Sequence, residues 1–132
     1  MTAFDFLQKN KIFFLATVDG AQPHVRALGF VMEEDGKLAF CTNNQKEMFK
    51  QMAANPLVEI CCLDTTDMNT LRITGSVGFV TTSETQKKAL DTMPQLANMY
   101  AVNDGKFEIF CLNNAVATCY RMDGTKENVA IF

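Results

Sequence analysis

Ile12-Phe13-Phe14-Leu15-Ala16-Thr17-Val18-Asp19-Gly20-Ala21-Gln22-Pro23-His24-Val25-Arg26 decides the fold. Residues 12–18 are rich in β-branched and aromatic side chains. Asp-Gly is among the strongest short hairpin signals, because both central positions of a type I′ turn need positive φ. The chain therefore turns at Asp19-Gly20 and returns as a second strand over residues 22–32. Asp35-Gly36 repeats the signal, and residues 37–42 form a third strand, so the expectation is an antiparallel meander.

Working outward, residues 57–63 read as a strand with one charge in an apolar run. Residues 70–81 form a long strand in which Gly75 and Gly78 mark a bend or bulge. Residues 106–120 make the last long strand, and residues 121–132 carry no clear pattern. Helical spacing appears over residues 2–10, with Thr2 as N-cap and Asp5 three residues on, and over residues 47–54, stopped by Asn55-Pro56. A third helix starts at Ser83, capped with Gln86, and breaks before Pro94, and residues 96–101 suit a short fourth. Six antiparallel strands in one 132-residue domain cannot keep both sheet faces wet. A small antiparallel barrel, mainly β with peripheral helices, is the economical closure.

The composition excludes several classes. Net charge is −3 and no Lys/Arg cluster occurs, which argues against a nucleic-acid binder. No apolar run nears the ~20 residues of a membrane span, and Met1-Thr-Ala-Phe-Asp-Phe6 lacks the basic start of a signal peptide. Five cysteines, an odd number without a CxxC pair, read as reduced thiols and point to the cytoplasm. With one histidine, no zinc-ligand spacing exists.

Two cations stand beside strands. Arg26 is mid-strand, on one face with His24 and Leu28 and opposite Val25, Ala27 and Gly29. It is either solvated or held by an anion, and a strand glycine such as Gly29 suits close approach by a ligand. Thr42-Asn43-Asn44-Gln45-Lys46 joins the third strand to the next helix. Either Thr42 to Asn44 cap that helix and Lys46 is wet, or the junction binds a phosphate through Thr42, Asn43 and Lys46. If the two strands pair, Arg26 and Lys46 converge on one anion. His24 and Arg72 read as strand-surface residues. No Ser/His/Asp or Cys/His arrangement, paired carboxylate site or GxGxxG motif marks a catalytic residue.

These segments, in order, resemble the pyridoxamine 5′-phosphate oxidase-like family, the FMN-binding split β-barrel flavoproteins. The likeness runs through Phe13 and Leu15 to Gly20, Gln22-Pro23 and Arg26, Gly36-Lys37-Leu38, Phe40 to Asn43 with Lys46, Asn55-Pro56, Leu71 to Gly75, and Phe107 to Phe110 with Ala115 to Thr118. It is greatest toward the small nitroimidazole-resistance-like and general-stress-like members. The resemblance implies a six-stranded split barrel with FMN as cofactor. Arg26 would meet the flavin, and the backbone through Ala27, Leu28 and Gly29 to Phe30 would run along the ring edge. Thr42 and Asn43 would lie near the phosphate, with Lys46 on it. It also implies a homodimer with flavin sites at the subunit interface and oxidoreductase action on a small organic molecule such as a quinone or nitro compound. The Thr42 to Lys46 loop is shorter than in the true oxidases, and the chain lacks tryptophan, so oxidation of pyridoxamine phosphate is not expected. The rival expectations are a non-catalytic flavin-binding or flavin-sensing protein, and a relative binding heme or a deazaflavin.

Overall fold

The computed structural model describes residues 1–132. The elements run α1 (Ala3–Asn10), β1 (Phe13–Asp19), β2 (Gln22–Leu28), β3 (Met32–Glu34), β4 (Lys37–Asn43), α2 (Glu47–Ala54), β5 (Leu57–Leu63), β6 (Thr70–Phe79), α3 (Ser83–Thr92), a 3-10 turn (Pro94–Asn98), β7 (Phe107–Tyr120) and β8 (Lys126–Val129). All strand pairs are antiparallel, in the order β2-β1-β5-β6-β7-β4-β3, with β8 also on β7.

That order shows why the sheet curls into a split barrel. β2 and β3 lie at opposite ends of the order, yet only residues 29–31 join them. Four Cα steps reach about 14 Å at most. Six inter-strand spacings laid flat would need about 29 Å. The two ends must therefore come together.

The meander expectation is corrected at the same point. Residues 22–32 are not one strand, and β2 does not pair with β4. β2 pairs with β1, whereas β4 lies between β3 and β7. The chain leaves β2 at Gly29, and Phe30, Val31 and Met32 turn inward and are buried. Pro23 suits the resulting edge position, where an N–H is not needed on the free side.

The barrel interior is filled by Phe13, Leu15, Leu38, Phe40, Ile60, Ile73 and Phe110, with Met48 and Met52 of α2 closing one side. A second apolar layer lies on the other face of β4 and β7, where Ala39, Phe107 and Ile109 meet Ala89 of α3 and Leu96 and Tyr100 beyond it. β4 is buried on both faces, which explains its near-continuous apolar run. β6 bulges at Gly75, where an added Cβ would stand 3.2 Å from the Leu112 Cβ.

Local signals at the ends of the three α-helices hold to within a residue. Thr2 and Asp5 form the expected reciprocal cap of α1. For α3 the cap is Thr82 with Thr85, and not Ser83 with Gln86. Gln86 serves elsewhere, donating to the Phe107 carbonyl and accepting from the Asn103 N–H. The short fourth helix expected over residues 96–101 is a 3-10 turn that starts two residues earlier and ends at Asn98. No helix is long and apolar enough to cross a membrane.

One ion pair ties α1 to the barrel. Lys9 Nζ donates to Asp64 Oδ2 at 2.7 Å, and Asp64 Oδ1 accepts from the Thr66 hydroxyl and N–H. The lysine contact first, and the threonine contacts next, hold the Asp64 carboxyl well below its usual range. A carboxyl depressed in the folded state stabilises above its unfolded pKa of about 4 and loses that contribution as pH falls. Thermal melts of wild type should thus fall more between pH 5 and pH 3 than those of Asp64→Asn. Parallel profiles would remove this pair from the acid response.

Candidate functional site

One groove collects residues from six segments. β2 supplies Ala27 and Leu28, and the crossing supplies Gly29 and Phe30. β4 supplies Cys41 and Thr42, and Lys46 stands where α2 begins. Lys11 and Ile12, between α1 and β1, and Met93, Leu96, Met99 and Tyr100, around the 3-10 turn, complete the wall. The volume is about 480 Å³, within the range of ligand pockets.

Its charge is one-sided. Lys11 and Lys46 both line it, no Asp or Glu does, and neither lysine takes part in an ion pair. Thr42 is 2% exposed, and its Oγ1 is the one buried side-chain polar atom without a hydrogen-bond partner. Such an orphan costs ~1–3 kcal/mol unless something reaches it. The α2 start is uncapped as well: Lys46 is the N-cap residue and makes no side-chain cap bond. The expectation that Thr42 to Asn44 merely cap this helix is therefore not met. An unsatisfied hydroxyl, a free ammonium and a bare helix start suit a phosphate-bearing group.

The other walls are apolar or neutral. Burial pushes the Cys41 thiol up to about 12, against a small opposing pull from Lys46. At neutral pH it is a protonated thiol and no nucleophile. Asn43 lies behind the wall, where its Nδ2 donates to the Tyr100 hydroxyl oxygen at 3.1 Å and its Oδ1 accepts from the Gln45 N–H. The Tyr100 ring stacks on Phe107 with centroids 4.6 Å apart. At Gly29 an added Cβ would meet only Lys11 and Ile12 at ordinary contact distance, so packing does not demand glycine there.

Arg26 is placed differently from the sequence expectation. It pairs with Leu15 on β1, and its guanidinium turns away from the groove. Nη1 donates to the Leu15 carbonyl at 3.3 Å and to Thr17 Oγ1 at 2.7 Å, and Nη2 donates to Gln51 Oε1 at 2.8 Å. Desolvation by burial lowers its pKa. The second cation at the groove is Lys11, 35 positions from Lys46 in sequence and brought there by the α1–β1 junction. His24 lies exposed on β2 outside the groove, and Arg72 pairs with Glu59 at 2.6 Å beneath Tyr120. A smaller cavity of about 270 Å³ lies between α1 and β8, lined by Lys9 and Asp64 and by Arg121 and Glu127, charges that already pair with each other.

Barrel and groove define a class: a split-barrel protein with a largely apolar cleft whose charged lining is cationic. A family model described as pyridoxamine 5′-phosphate oxidase matches residues 2–117, and the chain belongs to that family. A NimC/NimA family protein from Clostridium acetobutylicum is 38% identical, with TM-score 0.91 over 96% of this chain and 88% of that one. A pyridoxamine 5′-phosphate oxidase-related, FMN-binding protein from Nostoc punctiforme is 15% identical, with TM-score 0.63 over 98% and 94%. A heme-binding protein from Mycobacterium smegmatis is 14% identical, with TM-score 0.77 over 97% of this chain and 56% of that one. The last two establish the fold alone. No curated protein sequence matches the chain.

Proposed function

We propose that the groove binds FMN, and that the protein is an FMN-dependent oxidoreductase of a small organic molecule such as a quinone or nitro compound. The observation that carries this is the buried, unpartnered Thr42 Oγ1 together with the free Lys46 at an uncapped helix start, both residues lining one groove. Thr42 donates a hydrogen bond to the phosphate, and Lys46 adds a point charge. Ala27, Leu28 and Gly29 border the ring system, and Met93, Leu96 and Met99 give it an adaptable apolar cover. Bound flavin supplies hydride and electron transfer, and the chain supplies binding, orientation and exclusion of water.

A second reading, flavin binding without turnover, is favoured by one feature. The groove contains no carboxylate or histidine, and its one thiol is held protonated. The heme alternative finds no imidazole there, because His24 lies elsewhere.

The proposal includes a homodimer. Val25, Ala16, Glu59, Thr74 and Val116 form one row across β2, β1, β5, β6 and β7, and Phe14 lies in the next row beside Ala27 and Cys61. Val25 is 68% exposed and Phe14 46%, so no element of this chain covers the face. A second copy on this face would close the groove past Ala27 and put the flavin at the interface. The free cysteines suit a cytoplasmic setting.

An absorption spectrum before and after FMN addition tests the reading. The protein should show flavin bands, either as purified or after FMN addition and removal of unbound cofactor. A Soret band, or no retained flavin, would overturn it. Bleaching by a reduced nicotinamide, with recovery on adding a quinone, would separate turnover from binding alone.

A further inference from the structure

We infer that Tyr100 is a specificity residue: its hydroxyl proton is left for the groove and donates a hydrogen bond to an oxygen of the small organic substrate, a quinone carbonyl or a nitro oxygen. The inference rests on the FMN reading and names the group that recognises the substrate of that site.

The bonds around Tyr100 decide where its proton goes. Asn43 Oδ1 accepts the Gln45 backbone N–H at 2.9 Å, and a backbone N–H can only donate. That bond fixes which end of the amide is oxygen, so Nδ2 is the end that meets Tyr100, at 3.1 Å. The phenol oxygen is therefore the acceptor in that contact. Asn43 is its one partner in the chain, and the proton of the hydroxyl has no acceptor. Nor can the ring swing away to find one. It stacks on Phe107 with centroids 4.6 Å apart and planes 12° apart, and Tyr100 is 8% exposed. A buried donor without an acceptor is costly unless a ligand supplies one. Tyr100 lines the groove, whose occupant is the available source.

Placement favours the substrate over the flavin as that acceptor. The residues assigned to the phosphate and the ring edge belong to β2, β4 and the α2 start. Tyr100 enters instead just beyond the 3-10 turn, with Met93, Leu96 and Met99 of the apolar cover. A flat molecule held between ring and cover presents its edge to the phenol. The donor is neutral, so it suits an uncharged molecule with an acceptor oxygen, where an ammonium would select an anion. A site that hydrogen-bonds such an oxygen rejects the analogue lacking it.

The test uses protein saturated with FMN and kept oxidised, with no electron donor, so that ligands bind without turnover. Menadione, a quinone, and methylnaphthalene, the same rings without the oxygens, are titrated against the flavin absorption. Tyr100→Phe should weaken menadione about tenfold and leave the affinities for methylnaphthalene and FMN unchanged. Asn43→Asp keeps the phenol but turns the donor facing it into an acceptor, which draws the hydroxyl proton out of the groove. It should weaken menadione as much as Tyr100→Phe does, and the double variant should be no weaker than the worse single one. Equal losses of menadione and methylnaphthalene would reduce the phenol to packing, and a loss of FMN in Tyr100→Phe would make it a cofactor contact. Either result overturns the inference and leaves the flavin reading intact. So does wild-type menadione affinity in Tyr100→Phe, or a wild type that binds menadione no better than methylnaphthalene. Failure of wild type to retain FMN would overturn both. If Asn43→Asp does not fold, Tyr100→Phe, which keeps the ring on Phe107, decides alone.

Discussion

Lys46→Ala is expected to weaken FMN binding ten- to a hundredfold, or ~1.5–3 kcal/mol for a lost charge-assisted contact. Riboflavin binding should change little, because the lysine meets only the phosphate. The effect should exceed that of Lys11→Ala. Lys46 is itself the uncapped N-cap residue of α2 and follows the orphaned Thr42 by four residues, whereas Lys11 enters from the α1–β1 junction. Raising salt from 0.05 to 0.5 M should narrow the difference between wild type and variant, since an open groove lets counterions screen the ammonium. Flavin fluorescence titration measures all four quantities. Equal loss for FMN and riboflavin would mean that Lys46 shapes the groove and does not bind its anion.

Legibility in the sequence followed the range of the interaction. The Asp35-Gly36 turn, the Thr2 cap, the helix over residues 47–54 and the strand over residues 57–63 depend on neighbours within a few positions, and each stands where the pattern put it, while the first turn falls one residue on from Asp19-Gly20, at Gly20-Ala21. The exchange of β2 and β3 between opposite ends of the sheet was not legible. It arises because the barrel closes, and Gly29-Phe30-Val31 continue the apolar reading of the strand without a turn signal. A uniform run over residues 22–32 therefore concealed a break.

The site divides along the same line. Ala27, Leu28, Gly29, Thr42 and Lys46 do share one groove, because each lies at the end of a locally readable element. Lys11, Tyr100 and the methionines come from distant segments, and no spacing connects them. Arg26 was legible as a cation facing away from Ala27. Its partner Gln51 lies 25 positions on, in a helix whose apolar face alone was visible in the sequence. A lysine as N-cap residue was the clearest local misfit in the chain, and it lines the same groove as the residue with the orphaned hydroxyl.

Phe40→Ala should produce the largest loss of stability of any substitution considered. Phe40 is fully buried in β4, packed edge-on to Phe13 with centroids 5.8 Å apart and stacked on Phe110 at 5.4 Å. Truncation removes both aromatic contacts and opens a cavity between strands that the barrel holds at fixed spacing, so collapse is limited. The cost should be ~3–5 kcal/mol, against ~5–15 kcal/mol for a whole domain. The midpoint of thermal unfolding should fall by roughly 10–20 °C. The urea midpoint should drop with an unchanged slope, since the surface exposed on unfolding hardly changes. Phe40→Leu, which refills most of the space, should recover more than half of the loss. Ala39 and Cys41 point the other way along β4, whereas Thr42, two residues on, shares the Phe40 face. Riboflavin should weaken by a factor set by the fraction of chain left folded and FMN by at least that factor, and saturating FMN should raise the melting point of the variant by mass action. A melting point within 3 °C of wild type would mean that the Phe13–Phe40–Phe110 cluster does not carry the core.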